Sequence, residues 1–575
     1  MPLANADVAA VFEEIADLLE IQGANPFRVR AYRNAARTLQ ELGASVRKMV
    51  ADGADLDALP GIGPDLAAKI AEVVRTGTCA LLVRLHKELP PAIGALLAIP
   101  GLGPKRVRAL YQALDIRSLD QLRDAAQQGR LRGVPGFGPT LEAKILEATA
   151  TRLAQDRRFP IAAALAVADD LLAFLCRIPD VQRAVAAGSL RRLRETVGDI
   201  DLLATARDGA TVIERFTRHD DVRDVLASGD TKASVVLRNG MQVDLRVVAP
   251  ESFGAAWVYF TGSKAHDIAL RRLGQERGLK LNEYGVYRGE QRVAGETEES
   301  VYASIGLPWI DPALREDRGE IEAARARRLP QLVGREDLRG DLHVHTRDSD
   351  GRASIEDMVA AARERGLTYL AVTDHSRRLA IAHGLDPGRL ERQIDHIDRI
   401  NATLRGFTVL KGIEVDILED GTLDLPDSIL ARLDLVVGAV HHRFDLPRAK
   451  QTDRVLRAMD NRHFTILAHP TGRLVDDRPG YDIDLLRVMR KARQRGCFLE
   501  LNAQPTRLDL TDVACRMARD EGILVAIDSD AHSGLEFDHL ALGVNQARRG
   551  WLTADDVLNA RPLPALRPLL AATMG

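Results

Sequence analysis

The chain has 575 residues, of which 46% are hydrophobic and 28% charged, with four cysteines and a formal net charge of −3. That length exceeds one hydrophobic core and predicts three or four domains, and no apolar run approaches the roughly 20 residues of a membrane span. The cysteines (Cys79, Cys176, Cys497, Cys515) lack CxxC spacing, and the acidic amphipathic start is unlike a secretory leader, so a cytoplasmic protein without a disulfide framework is expected.

Residues 1–150 read as short helices punctuated by glycine. One phrase recurs three times at a spacing of about 40 residues: LPGIGPDLAAKI from Leu59, IPGLGPKRVRAL from Ile99 and VPGFGPTLEAKI from Val134. In each, Pro-Gly-apolar-Gly-Pro forms a tight turn that opens a helix. Unpaired N–H groups at the positive end of the helix dipole are then exposed, a site suited to a phosphate oxygen and indifferent to base identity. Gly61, Gly63, Gly101, Gly103, Gly136 and Gly138 are the expected contacts. The alternative is that they serve only helix packing.

Residues 156–250 alternate helices with β-branched strands, and SVVLRNGMQVDLRVV reads as a hairpin turning at Asn239-Gly240. Asp199 and Asp201 fall at alternate positions of a strand, hence on one face, and Asp244 in the hairpin can supply a third carboxylate. Acids so placed can hold two divalent cations for in-line nucleotidyl transfer from a triphosphate. Gly188-Ser189 and Arg192 would face its outer phosphates.

Residues 251–318 read as a small mixed subdomain and the charged stretch 319–336 as a linker. Beyond it, YLAVTDH, LVVGAVHH, FTILAHP, CFLELNA and ILVAIDSDAH alternate with helical segments, which predicts parallel strands wrapped by helices in a (β/α) barrel. Eleven of the 14 histidines lie in residues 336–575. With acids they close the strands: His343, His345 and Asp350 in DLHVHTRDSDG, then Asp374-His375, Glu414, His441-His442, His469, and Asp528, Asp530 and His532. Strand C-termini of such a barrel meet at one face, so these residues point to one metal pocket. Mixed imidazole and carboxylate donors suit Zn²⁺, Mn²⁺ or Fe²⁺ better than Mg²⁺.

Gly188-Ser189, Asp199-x-Asp201, Asp244, Tyr259-Phe260-Thr261-Gly262-Ser263 and Asn282-Glu283-Tyr284 together resemble the family X DNA polymerases, from about residue 5 to 318. The resemblance implies a multidomain layout. An all-α helix-hairpin-helix region comes first, lyase-like over 1–88 and with two further hairpins over 89–155; an α+β nucleotidyltransferase palm (156–250) and a nucleotide-selecting thumb (251–318) follow. It implies Asp199, Asp201 and Asp244 as catalytic ligands of Mg²⁺ or Mn²⁺, with Gly188, Ser189, Arg192 and Gly198 at the triphosphate. Tyr259, Phe260, Thr261 and Gly262 would lie by the sugar, and Arg271 in the template minor groove. Asp267 stands where the family often has an asparagine that touches the incoming base, and Lys264 where an acid stacks. Lys69, near Arg28 and Tyr32, matches the Schiff-base lysine of a 5′-deoxyribose-phosphate lyase. Asp65 replaces a phosphate-binding lysine there, and an acid beside Lys69 tends to raise its pKa rather than activate it. Lys69 as a solvated or phosphate-contacting helix residue is the alternative.

From about residue 337 to 575 the strand-end motifs resemble the polymerase-and-histidinol-phosphatase (PHP) family. That resemblance implies a three-metal phosphoesterase centre of His343, His345, Asp350, His375, Glu414, His441, His469, Asp530 and His532, with Glu414 bridging. His383, His396, His442, His463 and His539 fall outside it. A polymerase followed by this phosphoesterase resembles bacterial family X DNA polymerases. The expectation is a monomeric DNA-repair enzyme on gapped or nicked DNA and dNTPs, filling gaps in base-excision repair and trimming 3′ ends as a 3′–5′ exonuclease. Abasic-site endonuclease, 3′-phosphatase and 5′-lyase reactions remain open. The rival readings are a DNA-end scaffold with decayed centres, and a phosphoesterase of small esters alone.

Overall fold

The computed structural model describes residues 5–41, 46–59, 61–90, 93–156, 158–475 and 477–574, in two compact units, Met1–Arg157 and Arg158–Gly575. Among the described residues the first unit is built of helices, the longer ones being Asn5–Gln22, Pro26–Glu41, Pro64–Thr76, Pro104–Leu114 and Pro139–Asp156. The expected division at residue 88 is not a break in the core, because Phe12, Leu19, Leu85, Leu110, Leu122 and Ile145 share one apolar cluster. Helix Asn5–Gln22 lies against both Ala80–Glu88 and Pro104–Leu114, so apolar faces from either side of the expected boundary bury each other.

In the second unit a five-stranded sheet runs Val181–Ala186, Asp199–Ala206, Gln242–Val248, Lys232–Leu237, Val222–Ser228 in spatial order. Asp199–Ala206 pairs in parallel with Gln242–Val248, which hairpins back onto Lys232–Leu237 through Gly240. Helices Ile161–Cys176 and Gly209–Thr217 cover one face, burying Ile200, Leu202, Val243 and Leu245. Strand alternation then sends Asp199, Asp201 and Asp244 to the opposite face.

The thumb has helices Phe253–Thr261, Lys264–Gln275 and Glu298–Ser304 and a small antiparallel sheet, Lys280–Asn282, Gly285–Arg288 and Gln291–Ala294. The stretch read as a linker is not a free tether. It carries helix Glu320–Arg325, whose Ile321 and Ala324 join the thumb core, while Val333 joins the core of the barrel. Of its charged residues Glu320 is buried against His266 at 2.6 Å, while Glu322, Arg325, Arg327 and Arg328 are exposed.

Among the described residues of the C-terminal region the strands that form the two sheets pair in parallel. One sheet is Gly340–Val344, Tyr369–Val372, Thr408–Lys411; the other is Glu414–Asp416, Val437–Ala439, Ile466–Leu467, Phe498–Asn502, Val525–Asp528. Parallel bridges His375 to Glu414 and Val344 to Ala531 join the two sheets at both edges, which closes the barrel. Tyr369 and Ala371 belong to one apolar cluster and Leu370 and Val372 to another, as expected for strands buried on both faces. The barrel is docked on the polymerase-like part of its unit: Leu508 and Leu542 sit in the palm core and Trp551 in the thumb core.

Candidate active sites

On the palm, Asp199, Asp201 and Asp244 each offer a carboxylate oxygen within 4.8 Å of the others, with Asp201 directly opposite Asp244 in the ladder. Burial pushes the Asp201 carboxyl up to about 7, and the neighbouring charges of Asp199 and Asp244 add to this. Burial and Asp244 raise Asp199 too. Three mutually repelling acids on a sheet face fit divalent cations, which would remove the repulsion. The short helix Gly188–Arg191 abuts them. Gly188 has φ +60°, and a Cβ there would collide with the Asp201 carboxylate, so glycine is required twice over. Gly198 directly precedes Asp199 on the same approach.

Arg191 and Arg192 bind this loop to the thumb. Arg191 donates to Thr261 Oγ1 at 2.7 Å and to both carboxylate oxygens of Glu298 at 2.7 Å. Arg192 donates to the Thr261 carbonyl and to Glu316 Oε1 at 3.1 Å. Thr261, expected by the sugar, is fully buried with its hydroxyl committed to Arg191. Tyr259, Asp267, Arg271 and Asn282 line one cleft, while Phe260 lies under Arg246 at 4.8 Å and Gly262 has φ +67°. Burial raises the Asp267 carboxyl to about 7 against the pull of Arg271, Arg315 and Arg192.

In the helical unit the first glycine of each phrase is left-handed: Gly61 +74°, Gly101 +90°, Gly136 +88°. Pro60 of the first phrase lies outside the described residues. Gly63 and Gly103 cap the following helices in extended conformation. A Cβ on Gly63, Gly103 or Gly138 would meet nothing within 4 Å. Open space therefore lies on the Cβ side of each of these second glycines. Lys69 pairs with Asp65, and its side chain is 19% exposed. The buried Tyr32 feels the charges of Lys69, Asp65 and Arg28.

All nine strand-end residues of the barrel converge. Three overlapping groups, His345–Asp350–His375–His532, His343–His345–Asp530 and His375–Glu414–His441, each keep their ligand atoms within 4.8 Å. His469 Nε2 lies 2.9 Å from Glu414 Oε1. Burial opposes ring protonation, yet Glu414 with Asp350 or Asp416 holds His375 up to about 10 and His441 up to about 9. Buried His343 Nε2, His345 Nε2 and His375 Nδ1 face oxygens of Glu414 and Asp530 at 3.6, 3.1 and 2.5 Å without well-aligned hydrogen bonds, and His345 Nδ1 has no hydrogen-bond partner. Unused lone pairs gathered around carboxylates are a donor set for cations, whose binding displaces the ring protons. His469 and Asp530 hold left-handed backbone at φ +26° and +53°, strain of the kind that gathers at functional sites. His383, His396, His442, His463 and His539 belong to none of the three groups.

Sequence reading missed the residues that orient this cluster. Glu500 Oε1 faces His343 Nδ1 at 2.6 Å while Oε2 accepts from the His469 N–H at 2.5 Å. Asp416 meets His441 Nδ1 at 3.1 Å, and Asn502 donates to Asp530 at 3.0 Å. Asp416 and Asn502 lie two residues beyond Glu414 and Glu500, on the same strand faces, and that spacing was the available signal.

The chain matches family models for a helix-hairpin-helix domain (residues 3–79), a SAM-like helix-hairpin-helix tandem (93–151), a DNA polymerase beta thumb (256–316) and a PHP domain (341–504). The DNA polymerase/3′-5′ exonuclease PolX of Bacillus subtilis is 39% identical over 98% of this chain and 99% of its own length. A probable phosphatase of Thermoanaerobacter is 29% identical over 38% of this chain and 89% of its own. DNA polymerase lambda of Rattus norvegicus is 25% identical over 54% and 56%. The chain therefore belongs to the bacterial family X DNA polymerases that carry a C-terminal PHP domain.

Proposed function

We propose that the protein is a DNA-repair polymerase that fills short gaps and trims 3′ ends as a 3′–5′ exonuclease, the two reactions using separate metal centres. The observation that carries this is the coexistence in one compact unit of two complete donor sets, three acids on the palm and nine residues at the barrel mouth. Two intact centres argue against a decayed scaffold, and the palm acids argue against a phosphoesterase acting alone.

Asp199, Asp201 and Asp244 would hold Mg²⁺ or Mn²⁺, which supply charge neutralisation for an in-line displacement on a dNTP. Ser189 and Arg192 orient the triphosphate, and Arg192 leaves Glu316 to do so. Tyr259 and Phe260 border the sugar, and Asp267 and Arg271 the nascent pair. The nine barrel residues would hold Zn²⁺, Mn²⁺ or Fe²⁺, which supply an activated water and neutralise the scissile phosphate. The three glycine turns grip the DNA backbone on either side of a gap. The enzyme acts as a cytoplasmic monomer.

The test is a one-nucleotide-gapped duplex with dNTPs and Mg²⁺ or Mn²⁺, using Asp199→Ala and His343→Ala. Extension lost only in the first and 3′ trimming lost only in the second is expected. Loss of both activities in either variant, or neither in the parent, overturns the assignment.

A further inference from the structure

Helix Pro387–Thr403 follows the metal-cluster loop that carries His375, and its outer face opens a groove of about 300 Å³ lined by Arg389, Arg392, Gln393, His396 and Arg399. A second groove of about 480 Å³ continues from it, sharing His396 and Arg399 and adding Arg363 of the neighbouring helix Ile355–Glu364. Arg392, Arg399 and Arg363 are exposed and form no ion pair among the described residues. Of the nearby acids, Glu391 and Asp395 pair with Arg432 and Asp398 with Lys411 at 3.1 Å, while Glu356 lines the second groove and pairs there with His396 at 2.9 Å. Asp348, at the groove's inner end, accepts from Gln393 Nε2 at 2.9 Å.

The groove is joined to the metal cluster. Arg389 donates to the Asp348 carbonyl, two residues before Asp350, and Gln393 Nε2 also donates at 2.6 Å to Asp374, which adjoins His375. Gln393 is 97% buried, so it ties the inner wall of the groove to Asp348 and Asp374 instead of facing solvent. Arg392 and Arg399 are seven residues apart, about 10 Å along the helix axis at 1.5 Å per residue. Unpaired guanidiniums at that spacing, longer than one internucleotide step, suit nearby but not adjacent phosphates of one strand and carry no base preference.

We propose that this groove is the track by which a single DNA strand enters the barrel centre, with Arg392 and Arg399 on backbone phosphates upstream of the 3′-terminal nucleotide and Arg363 further along. The proposal rests on the exonuclease reading and names how that site selects a strand over a small ester.

The experiment compares the full-length parent with Arg392→Gln/Arg399→Gln and Arg392→Lys/Arg399→Lys. Each is assayed on a dinucleotide and on a 5′-labelled single-stranded 20-mer at several salt concentrations, with oligomer affinity followed by fluorescence anisotropy. The glutamine pair should raise KM for the 20-mer at least tenfold and leave dinucleotide cleavage within twofold. Its salt slope should fall by about 1.4, the loss of two single-strand phosphate contacts. The lysine pair should keep most of the slope. If the parent digests the 20-mer and the glutamine pair matches it in KM and slope, the groove is refuted and the exonuclease stands. If the parent digests neither substrate, the exonuclease reading fails, and equal anisotropy slopes in parent and variant then overturn the groove as well.

Discussion

The joint between palm and thumb can be broken at one atom pair, by Glu298→Gln. Glu298 is 3% exposed and accepts from Arg191 at 2.7 Å, from Arg315 at 2.8 and 3.1 Å, and from the Trp309 indole at 2.8 Å. Burial would raise its carboxyl, but the two guanidiniums bring it down to about 2, against an ordinary 4.5. At 1.36 kcal/mol per pKa unit that is about 3 kcal/mol, in line with the roughly 3–5 kcal/mol lost when a buried ion pair is left half made. A depressed carboxyl contributes stability that is fully present above its unfolded value near 4.5 and is lost as pH falls toward 2. The contribution is therefore complete and constant at neutral pH. Arg191 closes the Gly188–Arg191 loop beside the palm acids, so the loss falls on nucleotide positioning. Gap filling by Glu298→Gln at pH 7.5 should show kcat/KM for dNTP reduced by roughly 10–100-fold, the equivalent of about 1.4–3 kcal/mol. Exonuclease activity on the same preparation should stay within twofold, and the profile from pH 6 to 9 should keep the parent's shape. Gap filling at the parent's rate, or a parallel fall in exonuclease activity, refutes the reasoning.

Gly188→Ala places a methyl against Asp201 in left-handed backbone; polymerase activity should fall at least about 100-fold with trimming unaltered, measured on paired primer-extension and 3′-digestion assays. Glu500→Gln removes the carboxylate behind His343 and His469, and metal content by elemental analysis should show affinity at the barrel centre weakened about 10–100-fold while gap filling persists. Burial holds the Asp267 carboxyl near 7, so its ionised form is a penalty that grows as pH rises from about 4 to 7 and is constant above; Asp267→Asn should flatten the rise in dNTP KM between pH 6 and 8, and identical profiles would dismiss the idea. Asp65→Asn releases Lys69 from its ion pair; borohydride trapping of an incised abasic duplex should then increase over the parent, whereas no trapping in either protein assigns Lys69 to phosphate contact alone.

What could be read from sequence was what local geometry dictates. Strand alternation places Asp199 and Asp201 together whatever surrounds them, and a barrel gathers residues such as His343 and His469 from strand ends 126 positions apart. Left-handed Gly61, Gly101 and Gly136 follow likewise from the turn each phrase demands. Of the residues that hold these groups in place, Asp416 and Asn502 carried a two-residue strand spacing, but Glu298 and Glu500 were not legible, because their partners are distant in the chain. Glu298 meets Arg191 across 107 positions and Glu500 meets His343 across 157.

The stretch 319–336 misled for a related reason. Its charges are largely solvated, since Glu322, Arg325, Arg327 and Arg328 are exposed, but its apolar residues have distant partners: Ile321 and Ala324 enter the thumb core and Val333 the barrel core. Ion pairs of residues outside the stretch reinforce the same interface. Arg318 meets Asp512 at 2.9 Å, and Arg549 bridges Asp512 at 2.7 Å and Glu316 at 3.0 Å. Glu195 of the palm takes Arg473 at 2.6 Å, four residues beyond His469. With Leu508 and Leu542 inserted in the palm core, these pairs make barrel and palm one body rather than modules on a tether. Glu316 sits at the centre of this arrangement, shared by Arg549 of the barrel and by Arg192, the residue proposed for the triphosphate. Through these two side chains Glu316 links the barrel interface to the Gly188–Arg191 loop beside the palm acids.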